Sequence, residues 1–249
     1  MGLAYMKHEN SGLIRNTSDV LLVVALVTLP IDGTRLGIAM PYWTPIAPVF
    51  FTLYVLCNLR LFLRSMRRYL GFFLFLPLLV AVSFFGWLTV GFHGMYVFQT
   101  MFALVSGLAC LASLDIAFRL KRLDWNKAVT LVVVVYWIAF VVGVLQWLDS
   151  RYGIGPVTRL FQHLMERNYV PRRPQFLFAE LSYIVMHIFG ILLPLFWLTR
   201  RKSLELLVLV FAFGSACMGV GVRILIDTVI ALLLWAVIEI RWNRARNII

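Results

Sequence analysis

Ionisable side chains are scarce in this chain: Asp and Glu number 11, Lys and Arg 23, together 14% of 249 residues. A soluble globular domain carries about a quarter. That deficit, beside 62% hydrophobic residues, predicts an integral membrane protein. Cysteine is also sparse. Cys57, Cys110 and Cys217 are odd in number and sit inside apolar runs, which excludes a disulfide framework and leaves them as small packing residues. No Walker, GxGxxG, HExxH or CxxC pattern is present, so nothing points to a nucleotide or metal cofactor, and the expected cofactor set is none. Internal repeats, low-complexity linkers and a composition shift are missing too, which predicts a single transmembrane domain over residues 1–249. Met1 to Asp19 has no signal-peptide pattern, so the first helix is expected to be retained.

What is present is a series of about eight apolar runs: Val20 to Met40, Pro45 to Leu63, Leu70 to Phe92, Val97 to Phe118, Ala128 to Leu148, Leu181 to Thr199, Leu204 to Gly221 and Ile224 to Trp242. Each approaches the roughly 20 residues that carry a helix across a hydrocarbon core. Alternate connections are basic: Arg60, Arg64, Arg67 and Arg68, then Arg119, Lys121, Arg122 and Lys127, then Arg200, Arg201 and Lys202, with Arg241, Arg244 and Arg246 in the tail. Placing all of these in the cytoplasm gives an all-α polytopic bundle, N-in and C-in. The net charge of +12 is then a topology signal rather than a sign of nucleic-acid binding.

On this topology one outer connection is long, about residues 149–180, and it breaks the charge rule. It carries Arg151, Arg159, Arg167, Arg172 and Arg173 against Asp149, Glu166 and Glu180. Within it PVTRLFQHLMERNY reads as a short amphipathic helix, with Val157, Leu160, Phe161 and Leu164 on one face. Excess arginine outside is either tolerated or holds an anionic group, for which the guanidinium fork suits phosphate oxygens.

The loop runs into PRRPQFLFAELSYIVMHIFG, which resembles the O-antigen polymerase and O-antigen ligase family of bacterial membrane glycosyltransferases. That family shows R-x-x-x-x-F-x-E-P-S-Y at the start of a helix. Arg172 or Arg173, Phe178, Glu180, Ser182 and Tyr183 fill the pattern, with Leu181 where the proline stands. Weaker echoes are VGVLQWL, Val142 to Leu148, and GSACMGVGVRILI, Gly214 to Ile226; together the likeness covers about Val129 to Leu234. The resemblance implies transfer of glycan from undecaprenyl pyrophosphate at the periplasmic face of the inner membrane, in O-antigen or exopolysaccharide assembly. It implies Glu180 as catalytic base or arginine-orienting carboxylate and Arg172 and Arg173 as pyrophosphate ligands. Arg159, Arg167, Tyr183 and Arg223 would join the substrate site. Implied partners are the lipid-linked glycan, membrane lipid and other polysaccharide-assembly membrane proteins, with no nucleic acid and no metal. Glu180 with Ser182 could instead cap the helix start.

Family members continue into further helices and a second outer loop, whereas this chain stops at Ile249. A short variant, a remnant or half of an assembly all stay open, as does a non-catalytic alternative, a transporter or a degenerate partner subunit. Elsewhere Arg223 with Asp227, Asp32 with Arg35, and Asp115 with Arg119 are spaced as ion pairs. His187, on the stripe with Glu180 and Tyr183, reads as a hydrogen-bonded bundle histidine ahead of a proton carrier. His163 reads as a solvated surface residue ahead of a catalyst, and His93 sits in a short outer turn with no further signal.

Overall fold

The computed structural model of the chain describes residues 17–31, 46–66, 70–91, 94–153, 174, 176–178, 181–221, 224, 226–234 and 236–237. Among these residues the fold is all-α: helices throughout and no strand. By contact the chain divides into two compact units, Met1–Leu29 with Pro45–Val132, and Pro30–Thr44 with Val133–Ile249.

The first unit holds α1 (Asp19–Val27), α2 (Ala47–Cys57), α3 (Leu59–Met66), α4 (Leu70–Val90) and α5 (Gly94–Arg119). Helix α2 packs on α1 and α5. Ala109 and Ala112 of α5 meet Val55 of α2, with Phe62 packed beside them. Small side chains at such a contact let two helices approach closely. The expected span Pro45 to Leu63 is interrupted at Asn58. Its Nδ2 donates to the Tyr54 carbonyl at 2.9 Å and its Oδ1 accepts from Arg122 at 2.8 Å, a side chain competing with the helix for backbone partners. Arg122 reaches that position because α5 ends in a left-handed turn. Lys121 has φ +49°, and the Lys121 and Arg122 amides donate to the carbonyls of Phe118 and Ala117 at 3.2 and 3.0 Å. The sequence-predicted pair of Asp115 and Arg119 forms, with Arg119 Nε donating to both carboxylate oxygens at 2.7 and 2.8 Å.

Helix α6 (Trp125–Tyr152) begins under an N-cap, Asp124, whose Oδ1 accepts from the Asn126 and Lys127 amides at 3.0 and 3.3 Å. It is the one helix among the described residues that is both long and apolar enough to cross a membrane. At 1.5 Å per residue it is about 42 Å long. The second unit takes in α6 from Val133 on, and with it α7 (Leu181–His187), a π turn (Ile188–Leu192), α8 (Leu193–Thr199), α9 (Lys202–Cys217) and helical residues 226–234. Helix α9 packs on α8 and the π turn.

Helix ends differ from expectation at several places. In the run Val20 to Met40, α1 ends at Val27, where the Thr28 amide donates back to the Val24 carbonyl at 2.9 Å. Asp149 and Arg151, read as loop, belong to α6, which runs one turn past Leu148 and stops where Gly153, φ +69°, donates back to the Asp149 carbonyl at 2.9 Å. Asp149 is buried at 4% exposure. The run expected to reach Gly221 ends as α9 at Cys217, and a turn follows. Gly219, φ +77°, and Val220 donate to the Ala216 and Ser215 carbonyls at 3.0 and 3.1 Å.

Candidate functional site

Glu180, Arg172, Arg173, Arg159, Arg167 and Arg223 lie outside the described residues, as do the amphipathic segment 156–169, His163, His93 and the pair Asp32 and Arg35. Of the expected site residues Tyr183 is described, half-buried on α7. The structure does describe the stretch between the arginines and Glu180, where Pro174, Phe176 and Phe178 are buried against the second unit.

Phe176 is the centre of that contact. Its φ is +58°, left-handed, which costs a non-glycine residue roughly 1–2 kcal/mol. Gln146 on α6 meets the turn with both ends of its amide. Nε2 donates to the Phe176 carbonyl and the Phe176 N–H donates to Oε1, each at 2.8 Å. Gln146 is buried at 2% exposure. One turn earlier on the same helix face stands Gly143. A β-carbon there would lie 2.1 Å from two carbons of the Phe176 ring. The ring stacks on Phe211 of α9, centroids 5.2 Å apart at 25°, with Phe140 at 6.2 Å and Phe178 at 6.3 Å. Phe140 is seated the same way over Gly214, where a β-carbon would meet its ring at 2.6 Å.

Phe178 carries the contact on to α7. Its ring lies 4.6 Å from that of His187, and the Tyr136 hydroxyl of α6 is hydrogen-bonded to His187 Nδ1 at 2.6 Å. His187 is therefore a hydrogen-bonded bundle histidine. The helix widens into the π turn directly after it, a change of register of the kind that re-aims side chains. Ser215 Oγ on α9 is buried and has no hydrogen-bond partner among the described residues.

Chemically the anchored stretch is a fixed support rather than a reaction centre. Among the described residues no three His, Cys, Asp or Glu side chains gather where they could hold a metal ion. A cavity of about 70 Å³ between the π turn, α8, α9 and residues 226–234 is lined mostly by apolar groups such as Phe189, Phe196, Val208 and Leu232, with Glu205 and Thr228 among its lining residues.

Gln146 and Gly143 are the residues that sequence reasoning passed over. Both stand in the VGVLQWL stretch. The available signal was a glutamine inside an otherwise apolar helix, a position where a polar side chain needs a partner. The three cysteines are free, Cys110 half-buried and Cys57 and Cys217 exposed, so only Cys110 is partly enclosed by packing. No protein-family model, no curated protein and no solved structure matches this chain.

Proposed function

We propose that the chain is a multi-pass inner-membrane protein of the O-antigen polymerase and ligase type, acting at the periplasmic face on glycan carried by undecaprenyl pyrophosphate. Support for the membrane setting comes from α6. Between Thr130 and Arg151 its exposed residues, Val134, Ile138, Val141 and Leu145, are all apolar, while its buried face includes Tyr136, Gln146 and Asp149. A helix facing water has the opposite arrangement. Helix α4, 21 residues without an ionisable side chain, fits the same solvent. The about eight apolar runs and the alternation of basic connections extend this to a polytopic N-in, C-in bundle.

The observation that carries the functional reading is the anchoring of Phe176 and Phe178 on α6 and α7. Arg172 precedes the pinned residue by four positions and Glu180 follows it by four. Four residues reach at most about 14 Å. Two forked cations and a carboxylate are thus tethered to one rigid point at the start of an apolar helix. In the reaction an acceptor sugar hydroxyl attacks the anomeric carbon of the donor glycan. The bond from that carbon to the phosphate oxygen breaks, and the pyrophosphate leaves with the electron pair. Arg172 and Arg173, helped by Arg159, Arg167 and Arg223, absorb the charge, and Glu180 takes the hydroxyl proton while Tyr183 borders the substrate.

The test is deletion of the gene in its host followed by electrophoresis of surface polysaccharide. Loss of the long-chain ladder with single repeat units retained is the outcome for a polymerase, and loss of glycan from the lipid A core is the outcome for a ligase. An unchanged profile from a host that expresses the gene refutes the reading and favours a non-catalytic transporter or partner subunit.

A further inference from the structure

The cavity between the π turn, α8, α9 and residues 226–234 lies wholly within the second unit and has a definite long axis. Its two walls run from Phe189 to Phe196 and from Glu205 to Ala212, each two turns of helix, about 10 Å. The chain reverses between them at Arg200 and Arg201, so the Phe196 and Glu205 ends lie together. Backbone hydrogen bonds tie that end to the turn: the Arg200 amide donates to the Phe196 carbonyl at 2.6 Å and the Glu205 amide to the Arg201 carbonyl at 3.1 Å. Phe196, Val208 and Ala212 form a buried floor, while Leu209 and Leu232 stand exposed at the rim. Thr228 gives its hydroxyl to the Ile224 carbonyl at 2.6 Å and so leaves the floor apolar. The result is an apolar groove that leads to a basic turn.

In a bilayer a groove of this kind fills with a lipid chain, because a void forfeits dispersion contacts. Its walls are no more apolar than the surrounding tails, so they choose none of them. Selection falls to the charges at the mouth, and these are of both signs. Arg200 and Lys202 are exposed and Arg201 is half-buried. Arg200 also keeps a left-handed backbone, φ +52°, at a helix end where glycine is the usual residue. Glu205 lines the cavity one turn along α9. Its spacing from Arg201 suits an ion pair, yet among the described residues its carboxylate makes none. The first turn of a helix favours a carboxylate whatever its use. Helical side chains lean toward the N-terminus, however, and that brings this one toward the level of the three cations.

We propose that this groove binds one phospholipid with a primary ammonium headgroup, an ethanolamine phosphodiester. An acyl chain lies along the groove, the phosphate meets the turn of Arg200, Arg201 and Lys202, and the ammonium donates to Glu205. A glycerol headgroup offers the carboxylate no cation, and a choline headgroup offers one that cannot donate. The site needs the membrane setting and is independent of glycosyl transfer. On the proposed topology it opens to the cytoplasmic leaflet.

The experiment is native mass spectrometry of the full chain released from detergent micelles, titrated with ethanolamine, choline and glycerol phospholipids of identical acyl chains. The ethanolamine lipid should bind about tenfold more tightly than either of the others, a margin set by hydrogen bonding between charged groups. Glu205→Gln keeps the shape and removes the charge. It should raise the Kd of the ethanolamine lipid about tenfold and leave that of the choline lipid where it was. Misfolding would not imitate this, because it would weaken both lipids alike. Ala231→Leu, and Ala231→Val to a lesser degree, should fill the groove and weaken all three lipids together. R200A/K202A should also weaken all three, through the phosphate they share. Equal Kd values for the three lipids in the unsubstituted chain overturn the proposal, and so does a Glu205→Gln chain that keeps its preference or loses all three lipids equally. Binding unmoved by both substitutions at position 231 overturns it as well, since the lipid would then sit elsewhere or another helix would cover the groove.

Discussion

Gly143→Ala isolates the socket without removing any hydrogen-bonding group. The added β-carbon would sit 2.1 Å from Cδ1 and Cε1 of Phe176, and ordinary contact begins at 3.4 Å, so the ring must retreat by about 1.3 Å. It is poorly placed to do so. Phe211 stacks on it at 5.2 Å, Phe140 and Phe178 flank it, and two 2.8 Å bonds from Gln146 hold its backbone. Two routes of relief compete. Straining the docked turn is overpacking, at about 1–3 kcal/mol, and here the hemmed-in ring favours the upper end. Undocking loses the burial of one phenylalanine, about 2 kcal/mol, and two hydrogen bonds at about 1 kcal/mol each. Relief of the left-handed backbone returns about 1–2 kcal/mol. Both routes come to about 3 kcal/mol. For a chain of this size that lowers the melting temperature by about 6–12 °C. The measurement is the fraction of monodisperse protein left after heating in detergent. Two glycines serve as references. Gly214→Ala meets the Phe140 ring at 2.6 Å, a smaller overlap with a ring that is only partly buried, so the expected loss is about 1 kcal/mol. Gly107→Ala on α5 meets nothing within 4 Å and should hold or raise stability by about 0.5–1 kcal/mol. A Gly143→Ala protein that melts with the unsubstituted chain, or above Gly214→Ala, would show that the Phe176 ring does not occupy the gap.

Other outcomes are open to direct measurement. Tyr136→Phe removes the hydroxyl bonded to His187 Nδ1 and should cost about 1–2 kcal/mol. In the double substitution with His187→Leu the loss should fall short of the sum by at least about 0.5 kcal/mol, and strict additivity would deny the bond any energetic role. Single-cysteine labelling of spheroplasts should find position 155 accessible and position 122 protected; the reverse pattern inverts the proposed topology. Replacement of both Arg172 and Arg173 should shorten the glycan, to Lys substantially and to Ala further, by about 1.5–3 kcal/mol per lost charged hydrogen bond. Wild-type chain length at equal expression in both double variants removes those residues from the site.

The all-α class was legible from composition, because a chain with so few ionisable groups and such long apolar runs satisfies its backbone most simply in helices. Helix positions followed for the same reason: Thr199 closes a helix in both the sequence pattern and the structure. The ion pair of Asp115 and Arg119 could be read from spacing alone, since four residues place two side chains on one helix face. The break at Asn58 could not, because its carboxamide oxygen accepts a hydrogen bond from Arg122, 64 residues away. Nor could the end of α6. Apolar periodicity stops at Leu148, whereas burial continues to Asp149. The Phe176 socket is the clearest case. In sequence Gly143, Gln146 and Phe176 are a weak helix former, an isolated amide and one of 20 phenylalanines. Only the folding of the chain back across 30 residues brings amide to peptide and ring to gap, and a pattern with a period of three or four residues carries no trace of a contact at that separation.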